Sequence, residues 1–118
     1  MFNFEKLDVW QRAIDFADVV YSSTQTFPPE ERFGLTIQMR RAAVSISSNI
    51  AEGTSRMSQS DFKRFVEIAT GSVFEVISQA FIAQRQGLIS NGTFDALYSS
   101  ASEVGRMLSG LRKSLSAK

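Results

Sequence analysis

Apolar residues recur along this chain at helical intervals, in four stretches separated by short polar or proline-containing breaks. In the first stretch, Leu7 to Thr24, one line holds Leu7, Trp10, Ile14, Ala17 and Tyr21, and a second line beside it holds Val9, Ala13, Phe16 and Val20. Asp8, Gln11, Arg12, Asp15, Asp18 and Ser22 take the other side, which is the signature of an amphipathic helix. The break Phe27-Pro28-Pro29-Glu30-Glu31 follows, with Pro29 suited to a first helical position and two carboxylates near the positive end of the next helix dipole. A second helix is therefore expected from about Pro29 to Glu52, weakened or bent in its first turn by Gly34.

Gly53 reads as a C-terminal cap, and Ser58 with Asp61 resembles a capping box that opens a third helix. That helix carries Phe62, Val66, Ala69, Val73, Val76, Ala80 and Ala83, widened by Phe65, Ile68, Phe74, Ile77 and Phe81, and Gly87 closes it. After Ser90-Asn91-Gly92, a heptad-like seam runs through Phe94, Leu97, Ala101, Val104, Leu108, Leu111 and Leu115. Arg112 and Lys113 sit where the fourth helix dipole favours cations. No stretch alternates with period two, so no strand is expected. Four helices joined by short connections predict an all-α protein, an antiparallel up-and-down four-helix bundle forming one domain over residues 1–118.

Composition narrows the chemistry. An apolar share of 43% in 118 residues suffices for one core. Thirteen Lys and Arg against twelve Asp and Glu leave a net charge of +1, so nucleic-acid binding would need a local patch rather than an overall field. The chain has no Cys and no His, which removes disulfides, thiolate nucleophiles, the commonest general base and the commonest metal ligands. A dinuclear metal centre of the bundle type needs Glu-x-x-His pairs, leaving only a carboxylate cluster of Glu52, Glu67 and Glu75, for which salt bridges are the simpler account. Ser45, Ser47 and Ser48 lack a base to activate them, and no phosphate-binding glycine loop is present. Neither enzymatic activity nor a cofactor or metal is expected. The N-terminal residues lack the basic and apolar regions of a signal peptide and no continuous apolar run suggests a spanning helix, so a cytoplasmic location away from membranes is expected.

Two surface features are candidate binding sites. On the second helix, Thr36, Met39, Ala43, Ile46 and Ile50 form an apolar line, while Gln38, Arg41, Ser45, Ser48 and Glu52 form a polar line roughly opposite. Such a stripe is either a solvated face or, being rich in hydrogen-bonding groups and lacking Lys, a wet subunit interface or ligand groove. Arg40, Arg41, Arg56, Lys63 and Arg64 form a basic group about the turn between the second and third helices, of the kind that contacts phosphates. Glu52, Asp61 and Glu67 interleave with it, and a charge-balanced surface is the simpler account. Trp10, Tyr21 and the ten Phe fall mostly on the apolar lines, where core or interface is the expected fate, and the wide apolar arcs of the first and third helices argue for self-association.

The segments Phe4 to Gln11, Pro28 to Leu35, Gln38 to Ala43, Ser45-Ile46-Ser47-Ser48-Asn49-Ile50-Ala51-Glu52-Gly53, Phe62 to Phe65 and Ile68 to Ser72 together resemble the bacterial four-helix-bundle family of proteins encoded in 23S rRNA intervening sequences. The resemblance spans nearly the whole chain and implies an antiparallel bundle assembled as a ring-shaped homopentamer. That family is similar to the accessory variability determinant protein of diversity-generating retroelements, a basic pentameric bundle that binds nucleic acid and a reverse transcriptase. RNA or DNA, a reverse-transcriptase-like protein and further copies of the chain are the partners it implies. Ser47 stands where the family often has Pro, keeping a backbone donor and a straight second helix, and Ile77 stands where it often has Glu, making the third helix more apolar. The expected function is non-enzymatic binding of RNA or other nucleic acid by an oligomer. A structural or protein-interaction module that uses its polar stripe in self-assembly is the alternative.

Overall fold

The computed structural model describes residues 1–116. A single 3-10 turn, Asn3–Lys6, leads into α1 (Asp8–Thr24), and α2 (Leu35–Thr54), α3 (Gln59–Arg85) and α4 (Asn91–Ser116) follow. Each helix packs against its neighbours in sequence, α1 also packs against α4, and the diagonal pairs make no backbone approach among the described residues. This is the expected antiparallel four-helix bundle, 46 Å long and 22 × 21 Å across.

The two apolar lines of α1 have different fates. Val9, Ala13, Phe16 and Val20 are buried, whereas Leu7, Trp10, Ile14 and Ala17 are half-buried and Tyr21 is exposed. Met39, Ala43, Ile46 and Ile50 of α2, Val66, Ala69, Val73, Val76, Ala80 and Ala83 of α3, and Phe94 to Leu108 along the α4 seam complete one continuous core. Thr36 of the expected α2 line, Phe62 of the α3 line and Leu111 and Leu115 of the α4 seam are only half-buried.

Two boundaries depart from expectation. The second helix does not run from Pro29: Pro29–Glu31 form a lone 3-10 turn, and Gly34 (φ −109°, ψ −115°) leaves the helical region before Leu35. The Glu31 carboxylate accepts from the Leu35 amide at 3.3 Å, so it supplies the cap that Gly34 cannot. Gly53 is not a cap either. It lies buried inside the last turn of α2, and a Cβ there would come within 2.8 Å of a Phe62 ring carbon and 3.0 Å of the Phe65 Cβ, so its role is to let α3 approach.

Other termini behave as the sequence suggests. The Ser58 hydroxyl accepts from the Asp61 amide at 3.0 Å. Gly87 (φ +72°) sits in a Schellman turn, with its own amide donating to Gln84 at 3.0 Å and the Leu88 amide to Ala83 at 2.8 Å. Ser90 caps α4 through the Thr93 amide at 3.1 Å. Ser47 is buried in an uninterrupted α2, its hydroxyl donating to the Val44 carbonyl at 3.2 Å. By length and composition α3 could cross a membrane, with a mean hydropathy of 1.4 over its most apolar window, although it holds no continuous apolar run. Within that window 44% is buried inside the bundle, and a core helix has the same composition.

Candidate nucleic-acid interface

The five cations of the expected basic group do not form one patch. Arg40 and Arg41 lie near the start of α2, and the helix rise of ~1.5 Å per residue sets them roughly 20 Å from the turn that carries Arg56, Lys63 and Arg64.

Arg40 is committed to the fold. Its Nε donates to the buried Thr24 hydroxyl at 2.9 Å, its Nη2 reaches the Tyr21 carbonyl at 3.5 Å, and its guanidinium lies 4.6 Å from the centre of the Tyr21 ring. Arg41 is exposed and makes no ion pair among the described residues; with Tyr21, Ile37, Val44 and Ser45 it borders a shallow depression between α1 and α2.

At the other end, Arg56 and Arg64 share one aromatic ring. Their guanidiniums lie 4.6 Å and 4.8 Å from the centre of Phe65, which is 7% exposed. Arg56 Nη2 pairs with Glu52 at 2.9 Å, and Arg64 Nε approaches Asp61 at 3.9 Å. All four charged side chains stay about half exposed, so these pairs are worth little and leave most guanidinium donors free. Lys63, next to Arg64 in the chain, is half-buried, and Met57 at the turn is fully exposed. The Phe65 ring is the element that sequence reading missed: helical spacing identifies it as apolar surface, but only the α2–α3 turn brings Arg56 onto it.

The polar stripe divides as well. Gln38, Arg41, Ser48 and Glu52 face solvent, but Ser45 turns into the α2–α3 seam, where it accepts from Ser72 Oγ at 2.9 Å and from Asn49 Nδ2 at 3.0 Å. Farther along α3, Gln79 is buried, and its Oε1 has no partner among the described residues while its Nε2 donates to Glu75 at 3.3 Å. Glu52, Glu67 and Glu75 are held apart by separate partners, Arg56, Arg112 and Gln79, and no group of carboxylates able to hold a metal ion occurs among the described residues.

Apolar surface is also left open. On α3, Phe74 is 73% exposed, with Ile68, Phe81 and Ile82 about half exposed, and Tyr98 of α4 is similar. Phe74, Ile77, Tyr98, Ala101 and Gly105 line a groove of about 270 Å³ between α3 and α4.

The described residues form a histidine-free, all-α antiparallel bundle with a guanidinium-rich turn between α2 and α3. The chain belongs to the 23S rRNA-intervening sequence protein family, whose sequence model matches residues 5–110. The fold is similar to a crystal structure of a protein of unknown function from the S23 ribosomal protein family of Bacteroides thetaiotaomicron, with a TM-score of 0.80 and 21% identity, covering 89% of this chain and 98% of that one. No curated protein matches the chain in sequence.

Proposed function

We propose that the protein is a non-enzymatic, self-associating bundle that binds the phosphate backbone of RNA or another nucleic acid through the α2–α3 turn. The observation that carries this reading is the grouping of Arg56 and Arg64 on Phe65, with Lys63 alongside. Two of these cations are paired with carboxylates, but the pairs are exposed and leave most guanidinium donors open to a phosphate. Family membership supports a role connected with RNA. Arg41 gives a second, separate contact; Arg40 serves the fold. A ring of five copies, with a reverse-transcriptase-like protein as a further partner, is part of the same proposal and rests on the resemblance.

Fluorescence anisotropy with structured RNA and duplex DNA across a salt series tests it. Binding should weaken log-linearly with salt, and Arg56→Ala with Arg64→Ala should flatten the slope by about two. No binding at low salt would overturn the reading.

A second reading, an interaction module consumed by self-assembly, is favoured by the open α3–α4 groove. Assembly lost in Arg41→Ala would favour it. Intact assembly with weakened nucleic-acid binding would favour the first.

A further inference from the structure

Resting on the nucleic-acid reading above, we infer that Phe65 is a positioning residue, whose ring holds Arg56 and Arg64 together as a two-pronged fork for the phosphodiester backbone of RNA. The two guanidiniums lie 4.6 and 4.8 Å from the same ring centre, so neither can be farther from the other than those two distances combined. Mutual repulsion alone would spread two exposed arginines. The electron-rich ring offsets that repulsion, and it restricts side chains that otherwise lose much rotamer freedom on binding a phosphate.

The ring itself is 7% exposed, so it offers no open face for a base to stack upon. Its part is therefore indirect. It is also rigidly placed: Gly53 lacks the Cβ that would come within 3.0 Å of the Phe65 Cβ, which lets α3 lie close enough to α2 for Arg56, beyond the end of α2, to cover the ring. The exposed carboxylates of Glu52 and Asp61 hold the fork in the absence of ligand and are weak enough for a phosphate to displace them, because charge-assisted bidentate contacts to phosphate are stronger than exposed ion pairs.

The test is a salt-series anisotropy titration of the full chain with a labelled single-stranded RNA, comparing wild type, Phe65→Leu, Phe65→Tyr, and Phe65→Leu placed in an Arg56→Ala/Arg64→Ala background. Phe65→Leu should weaken binding about three- to ten-fold, Phe65→Tyr should restore it, and Phe65→Leu should change nothing once both arginines are gone. Circular dichroism checks that each variant is folded. If Phe65→Leu does not fold, Arg56→Lys with Arg64→Lys keeps the charge but gives up the planar stack, and should weaken binding at an unchanged salt slope. Wild-type binding that Phe65→Leu leaves intact, or that it weakens equally without the arginines, overturns the fork alone. Failure of the wild type to bind at low salt overturns the nucleic-acid reading and the fork with it.

Discussion

The Nε of Arg40 donates to the hydroxyl of Thr24 at 2.9 Å, tying the first turn and a half of α2 to the last turn of α1. Thr24 is 2% exposed, and its hydroxyl donates in turn to the Val20 carbonyl at 2.9 Å. The guanidinium thus stands at the negative end of α1, where a cation is stabilising. Thr24→Val keeps the shape and removes the acceptor, so it should lower stability by about 1–2 kcal/mol in urea denaturation with an unchanged m value. The share of nucleic-acid affinity that Arg56 and Arg64 supply should be unaffected, because this clamp lies at the far end of α2 from the α2–α3 turn.

Two glycines in helix interiors should respond in opposite directions. At Gly71 no described residue lies within 4 Å of where a Cβ would sit, so Gly71→Ala gains helix propensity and should stabilise by about 0.5–1 kcal/mol. Gly53→Ala gains the same propensity but drives a methyl to 2.8 Å from the Phe62 ring and 3.0 Å from the Phe65 Cβ. The second contact is close to the backbone and cannot swing away, so overpacking of about 1–3 kcal/mol wins and the variant should be destabilised. Thermal unfolding of the two proteins side by side checks the sign of each.

The contrast between these glycines shows where the sequence stops being readable. Helix count, the up-and-down order, the α4 seam and the Gly87 turn follow from local rules that act within a few residues. Gly53 looked like a cap because it ends an apolar pattern, and its packing against Phe62 and Phe65 depends on a partner helix that no local rule places. The same reason hid the split of α1 into a buried line and a half-buried one, since both lines satisfy helical spacing and only the position of α2 and α4 chooses between them. The basic residues are set apart for a related reason. Arg40 and Arg56 are equally plausible as cations in a string of letters, yet the end of α1 takes up Arg40 and the Phe65 ring presents Arg56.

Gln79 offers a test of whether burial without a partner carries a cost. Its Oε1 is buried and unpaired, and its Nε2 bond to the exposed Glu75 is long at 3.3 Å. Replacing the amide with an apolar side chain of similar volume removes an unsatisfied acceptor, so Gln79→Met should stabilise by about 1 kcal/mol in chemical denaturation. A loss of stability would instead show that the Nε2 bond to Glu75 outweighs the cost of the unpaired oxygen.

Glu52 holds Arg56 at 2.9 Å and competes with any phosphate for it. Glu52→Gln removes that competitor and one negative charge beside the fork. RNA should bind several-fold more tightly and with a steeper salt dependence, while stability should change by less than about 1 kcal/mol because the pair is exposed. Anisotropy and urea denaturation on the same preparation separate the two effects.

The α3–α4 groove bears on assembly. Phe74 is 73% exposed at its rim, with Tyr98 and Ile77 beside it and the small residues Ala101 and Gly105 along its floor. A helix carrying this much open apolar surface is difficult to keep monomeric, and small floor residues let another chain approach closely. Phe74→Glu places a charge there without touching the core, so monomer stability should hold. If copies meet at this groove, sedimentation velocity should find wild type as an oligomer and the variant at a lower mass, with the helical circular-dichroism signal unchanged. A wild type that sediments as a monomer at tens of micromolar would remove self-association from the proposed function, and an oligomer indifferent to Phe74→Glu would move its interface to another face, with the half-buried Leu7–Ala17 line of α1 the next to test.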